Sequence, residues 1–411
     1  MEFKINIGYT TEDEVQRAVE HAFSPDFVFR APRREDGKEV TDVLVPWDDT
    51  ALVIQAKSQA IPGDGSLAGD PLKWARKNLL KAGRQVAGAV RAIQSGRMSH
   101  IENPRQGRVP FSTSRVKWLY GLIVLHHVCE PYNPFELVPE LCQIKSPMHI
   151  ISFSDFLSLT RLLDTPADLI GYLESRSDVL LPTLTPKIHE ESTAFSYYLN
   201  NLERIMALRA CKREMYFTEE DARPYAEQMR RLFSGDMPGP ALGYIIDEII
   251  EKCHERDPSL APIRRGAQLI AAAPDSYVKI ATELGKIPRI RRIALGKRYI
   301  RTIRLAEEQQ ADSWKATYSR KRSDCMLFLA SPLPASERSV RGERLIIMTE
   351  AYKHYRQVRR AIGIATEAGH DSGRSYDFVY ADYEPMENDE AFQAAKELFG
   401  EDGGLLTEDP Q

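Results

Sequence analysis

Lys38-Glu39-Val40-Thr41-Asp42-Val43-Leu44-Val45 runs into Pro46-Trp47-Asp48-Asp49-Thr50 and then Ala51-Leu52-Val53-Ile54-Gln55-Ala56-Lys57. Two runs rich in β-branched residues, separated by a Pro/Asp turn, predict a β-hairpin. Side chains alternate between faces along a strand, so Gln55 and Lys57 share a face and Ala56 points to the other. The hairpin can set Asp42 beside that pair. An acid, a carbonyl oxygen and a lysine at one strand edge suit a divalent cation and a phosphate. The plainer alternative is a surface ion pair between Asp42 and Lys57, worth little energy.

The flanking sequence predicts more of a mixed sheet. Residues 11–23 place Val15, Ala18, Val19, Ala22 and Phe23 on one helical stripe. Residues 27–31 suit a first strand, and residues 116–128 and 148–153 suit later ones. Between them a long helix is expected over residues 72–95, with Leu72, Ala75, Leu79, Ala82, Val86, Val90 and Ile93 facing a core. Lys73, Lys77, Lys81 and Arg84 form a separate basic row that could follow a nucleic-acid backbone, or be a solvated face. The glycine-containing loop over residues 58–71 reads as a flap over the site.

Asp42 followed by Gln55-Ala56-Lys57, in the order helix, three strands, helix, strand, resembles the PD-(D/E)XK nuclease superfamily in its Mrr-like Gln-X-Lys variant. The resemblance covers only the N-terminal part. It implies a restriction-endonuclease-like mixed sheet flanked by helices, Mg2+ or Mn2+ as cofactor, and hydrolysis of phosphodiester bonds, in DNA by preference. It makes Asp42 the principal metal ligand, with the Gln55 amide oxygen and the Ala56 carbonyl beside it. Lys57 would orient the attacking water or stabilise the phosphate. Glutamine in place of a second acid removes one negative charge and should weaken metal binding. The superfamily often adds a glutamate from the first helix; Glu12, Glu14 and Glu20 compete for that role, with Glu14 preferred. Gln85, within Arg84-Gln85-Val86-Ala87-Gly88-Ala89, resembles the helix glutamine that some of these nucleases hold near the metal. Those with a Gln-x-x-x-Tyr motif carry tyrosine where this chain has Ala89.

A chain of 411 residues with 43% hydrophobic content is long enough for two or three packed domains. Net charge is −4, so nucleic-acid affinity has to come from local patches. No apolar run is long enough to span a membrane, and Met1-Glu2-Phe3-Lys4 does not open a signal peptide. Five scattered cysteines without CxxC spacing point to free thiols in a reducing, cytoplasmic setting rather than zinc or disulfides.

Residues 1–180 are expected to form the nuclease-like domain, closing with one helix before Asp164-Thr165-Pro166 and another after it. A Pro/Thr-rich linker follows, then a mainly helical domain over 187–285, a C-terminal α/β module over 286–400 and an acidic tail over 401–411. In the helical part Leu242, Ile245, Ile246, Ile249 and Ile250 make an apolar stripe, closed by Cys253 and His254 in a packing role. Residues 286–304 are the densest basic stretch, without one acid. Arg291, Arg292, Lys297 and Arg298 there are candidate nucleic-acid contacts, with Tyr299 placed to stack on a base. The alternative for this stretch is pairing with the acidic C-terminus. The C-terminal module is expected to hold a strand over 324–330, a long helix over 343–364 and a strand over 376–383. No serine-hydrolase or dinucleotide fingerprint is present, which disfavours a serine hydrolase or a nucleotide-driven motor.

The expected function is therefore a nuclease, serving defence against foreign DNA if the resemblance extends that far. The rival is a non-catalytic nucleic-acid- or partner-binding protein on a decayed nuclease fold. A homodimer or an additional protein partner remains open.

Overall fold

The computed structural model describes residues 7–59, 70–127, 134–137, 148–177, 190–211, 219–234, 244–254, 263–265, 268–270, 276–320, 322–369, 374–385 and 389–399. The expected flap, first linker and acidic tail lie outside these residues wholly or for the most part. The chain divides into two compact units, Met1–Ala241 and Leu242–Gln411. That division falls inside the helical domain expected over 187–285.

The first unit is built on a five-stranded mixed sheet. Helix α1 (Ile7–Phe23) precedes β1 (Phe29–Arg30), β2 (Val43–Trp47) and β3 (Thr50–Ser58); α2 (Pro71–Gln94) follows. A small two-stranded ribbon, β4 (His100–Asn103) and β5 (Gly107–Pro110), leads to β6 (Trp118–His126) and β7 (Met148–Ser152). Strand order is β1-β2-β3-β6-β7. The first three strands are antiparallel neighbours, whereas β3–β6 and β6–β7 pair in parallel. A parallel neighbour needs a crossover, and α2 lies in the connection from β3 to β6. The hairpin closes tightly: Trp47 pairs with Thr50, leaving Asp48 and Asp49 as the turn, with Asp48 at φ 54°. Aspartate tolerates that left-handed conformation. The first strand is shorter than expected, because residues Pro25–Phe27 form a helical turn instead.

Helix α2 starts where Asp70 accepts hydrogen bonds from the Leu72 and Lys73 amides, with Pro71 in the first turn. Its apolar stripe packs Ala75, Leu79, Ala82 and Val86 onto Ala51, Val53, Ile123 and Leu125. Helix α1, with Val15 and Val19 fully buried, packs against β3 and against α3 (Phe153–Leu162). Helix α4 (Pro166–Ser175) begins at Thr165, whose side chain caps the Asp168 amide, as the Thr-Pro pair predicts.

The helical region beyond is part of this unit up to α7. Helices α5 (Glu191–Asn200), α6 (Leu202–Cys211) and α7 (Glu219–Ser234) follow, and α7 packs on α5 and α3. The buried Arg176 ties this region to the sheet: its guanidinium meets both Glu191 carboxylate oxygens at 2.8 Å and the Ile150 carbonyl at 3.0 Å. One ion pair thus locks the start of α5 to β7.

The second unit opens with α8 (Tyr244–His254), a short ribbon of β8 (Ile263–Arg265) and β9 (Gln268–Ile270), α9 (Ser276–Gly285) and α10 (Arg289–Gln309). Ile246, Ile249, Ile250 and Cys253 are buried as the stripe predicts; the His254 side chain lies outside the description. Then come β10 (Ser313–Ser319), β11 (Asp324–Ser331), α11 (Arg338–Arg356), β12 (Arg360–Glu367), β13 (Tyr376–Asp382) and α12 (Asp389–Phe399). The four strands pair in chain order, with β11–β12 parallel and the outer pairs antiparallel. Helix α11 covers one face. A Cβ on Gly363 would collide with Thr349, which is why β12 carries glycine where α11 crosses. The other face receives α10, whose Tyr299 packs on Phe328 and Tyr376.

One expected element is corrected. The helix read over 343–364 ends at Arg356, where Gln357 turns left-handed at φ 51°, and Arg360–Glu367 is a buried strand. Among the described residues Cys253 and Cys325 are free and buried.

Candidate active site

The hairpin brings the expected triplet together. Asp42 lies one residue before β2, beyond the last ladder pair of Val43 with Ile54, so the facing edge of β3 has no strand partner there. Side chains take over. The Thr41 hydroxyl donates to the Ile54 carbonyl at 2.7 Å, and the Ala56 amide donates to Asp42 Oδ2 at 2.7 Å. The Gln55 amide nitrogen also donates to Asp42 Oδ2, and Lys57 Nζ stands 3.9 Å from the same oxygen. Gln55 and Lys57 share a face, as period-two alternation requires. Ala56 meets Asp42 through its N–H rather than its carbonyl.

The site is largely shielded from water: side-chain exposure is 10% for Asp42 and 18% for Lys57. Burial disfavours both charges. It raises the Asp42 carboxyl above its usual range, against the opposing pull of Lys57, the Ala56 amide and Gln55. It likewise lowers Lys57, against the pull of Asp42, and nearby Lys81 pushes the same way. Lys81 thus borders the site, while Lys73, Lys77, Arg84 and Gln85 are exposed along α2. Arg84 is turned back onto its own helix, Nε donating to the Leu80 carbonyl at 3.1 Å.

Among the first-helix acids, Glu12 rather than Glu14 is coupled to the triplet. Burial and the Asp42 charge raise Glu12, while Arg30 and Lys57 pull it down. Arg30 on β1 stands 3.7 Å from Glu12 and also pairs with Asp13. Glu14 instead pairs with Arg17 at 3.0 Å on an exposed helix face. The signal for Glu12 is Arg30, a cation on the strand that pairs with β2.

The second basic stretch does not behave as one surface. Arg292 is 2% exposed, ion-paired to Asp247 and bonded to the Ile287 carbonyl at 2.9 Å, so it is a packing residue and not a nucleic-acid contact. Tyr299 is 1% exposed and cannot receive a base. Arg291 and Lys297 are exposed and Arg298 is half-buried.

Asp42, Glu12 and the Gln55 amide oxygen are candidate oxygen donors at this corner, and the Glu39 carboxylate lies near enough to act on both Glu12 and Lys57. Among the described residues no group of three or more His, Cys, Asp or Glu side chains could hold a metal by itself. That set fits Mg2+, which usually takes one or two carboxylates and keeps several waters. Neither a protein-family model nor a curated protein nor a solved structure matches the chain.

Proposed function

We propose that the first unit is a Mg2+- or Mn2+-dependent phosphodiesterase that cuts DNA, on a PD-(D/E)XK-like core, in a role such as defence against foreign DNA. The observation that carries the reading is the convergence of Asp42, Gln55 and Lys57 on one carboxylate oxygen, where β2 gives out beside β3. The order helix, three antiparallel strands, crossover helix, parallel strand supports it. Asp42, the Gln55 amide oxygen and Glu12 would hold the cation, which supplies Lewis-acid charge neutralisation and favours deprotonated water at neutral pH. Lys57 presents an ammonium, poorly hydrated by burial, to the phosphate oxygens as charge builds on them. Lys81 and the exposed basic row on α2 would hold the flanking backbone.

Purified protein incubated with plasmid should cut it in Mg2+ or Mn2+ and cease when a chelator is added. A folded protein that leaves plasmid, linear duplex and single strands intact in both metals would refute the assignment. The Glu12 placement gives a sharper comparison: Glu12→Gln should lower cleavage about 10- to 100-fold, and Glu14→Gln should leave it unchanged. Equal losses in both variants would remove Glu12 from the site.

A second reading, a non-catalytic nucleic-acid- or partner-binding protein, draws on one observation. Thr41 and Asp42 already do structural work, satisfying the Ile54 carbonyl and the Ala56 amide at the frayed ladder end. Salt-sensitive DNA retention without cleavage would favour it.

A further inference from the structure

The second unit holds a cavity of about 370 Å³ between the first half of α10 and the sheet. Its floor is a single cross-strand row: Thr317 pairs with Met326, Met326 with Ile362, and Ile362 with Tyr380. Four strands thus present one continuous strip, mostly apolar, with a hydroxyl at each end. The neighbouring row forms part of the rim, where Asp324 on β11 pairs with Arg360 on β12. From above, α10 supplies Arg291 and Arg298, about two helical turns apart and therefore on one side of the helix.

Charge decides what can enter. Four arginines (Arg291, Arg298, Arg322 and Arg360) and two carboxylates, Glu283 and Asp324, line the cavity. Both carboxylates are already engaged. Glu283 meets Lys286 at 2.8 Å and Arg360 at 2.9 Å, and Asp324 meets Arg322 at 3.1 Å. Arg298 is half-buried and makes no ion pair among the described residues. A cation in an apolar recess is costly without a counter-charge, so the recess suits an anion from solution. The apolar strip suits an aromatic ring, which gains area against Met326 and Ile362 and ring contact with Tyr380. The volume falls within the usual range for small-molecule sites, about 300–1,000 Å³, and is too small for a duplex.

We propose that this cavity binds a free nucleoside monophosphate, its base on the Met326–Ile362–Tyr380 strip and its phosphate at Arg298 and Arg291. The phosphate monoester is anionic at neutral pH and supplies the counter-charge that Arg298 lacks among the described residues. Thr317 offers its hydroxyl to the base edge. All lining residues belong to the second unit, so the inference stands independently of the phosphodiesterase reading.

Calorimetric titration of the full chain with AMP, GMP, CMP and UMP, and with adenosine and inorganic phosphate as controls, tests it. At least one nucleotide should bind at micromolar concentration, and the controls at least about tenfold more weakly. Arg298→Ala should weaken that binding about tenfold or more, and Ala294→Trp, at an exposed helix position on the mouth, should block it. Lys117→Ala, at an exposed position of the first unit that pairs with Asp49, should bind as the wild type does. Three results would overturn the proposal: no nucleotide binding at about 1 mM, binding undiminished in either cavity variant, or inorganic phosphate binding as tightly as the nucleotide.

Discussion

Replacing Lys57 with alanine should lower metal-dependent cleavage about 100- to 1,000-fold while the protein stays folded, a loss typical of one preorganised donor to a developing oxyanion. The ammonium stands 3.9 Å from Asp42 Oδ2 and its side chain is 18% exposed, so little solvent competes for its charge. Its lowered pKa has burial as the first cause, with Asp42 only partly offsetting it. A phosphate arriving here meets a donor that is short of partners. Arginine should not substitute, because a planar guanidinium cannot occupy a point-charge position without displacing Gln55 or Asp42.

A second readout separates catalysis from packing. Lys57 is the largest influence pulling the Asp42 carboxyl down. Without it the carboxyl rises further, a higher pH is needed to ionise it, and the ascending limb of the residual pH profile moves to higher pH. A merely structural lysine would change the melting temperature without moving that limb. Cleavage at the wild-type rate in Lys57→Ala would end the case for this site.

The hairpin was legible because its signals agree: β-branched runs, a Pro/Asp turn, and period-two placement of Gln55 and Lys57. Helix α2 was legible for the same reason, since its stripe and its length point one way. Glu12 was not legible. Both Glu12 and Glu14 sit a turn before apolar positions, and the choice depends on Arg30, whose position follows from strand pairing. Residues 360–364, the first part of strand Arg360–Glu367, were read as helix because the strand is buried on both faces. A continuous apolar run has no period, so it extended the preceding helical pattern. Strand β10 was missed for the opposite reason: Ser313–Ser319 is polar and half-exposed at a sheet edge. Charge counting over 286–304 found a basic stretch but not its direction. Asp247, on α8, claims Arg289 and Arg292, while the acidic tail over 401–411 lies outside the described residues.

Asp42→Asn should abolish cleavage, by about 1,000-fold or more given the several kcal/mol of charge stabilisation at stake, and yet leave the metal-free protein more stable at neutral pH. The sign follows from burial. The folded-state carboxyl is raised above its unfolded value, so the folded state binds the proton more readily than the unfolded one. Stability therefore falls as pH rises through that interval, and the full cost is present above the raised value. At a pH below the ordinary carboxylate range both states are protonated and the cost vanishes. Asparagine removes the charge and keeps one oxygen for the Ala56 amide, so its advantage should appear at pH 8 and disappear near pH 3. Magnesium should reverse the order. A cation at ten times its Kd adds about 1.4 kcal/mol to the folded state, and only the chain with Asp42 can hold it well. Thermal melts of both proteins at pH 8, with and without Mg2+, should thus cross. If Asp42→Asn is the less stable protein without metal, the carboxylate is a brace for the Ala56 amide rather than a ligand held at a cost. If Mg2+ shifts both proteins equally, the cation binds somewhere other than beside Asp42.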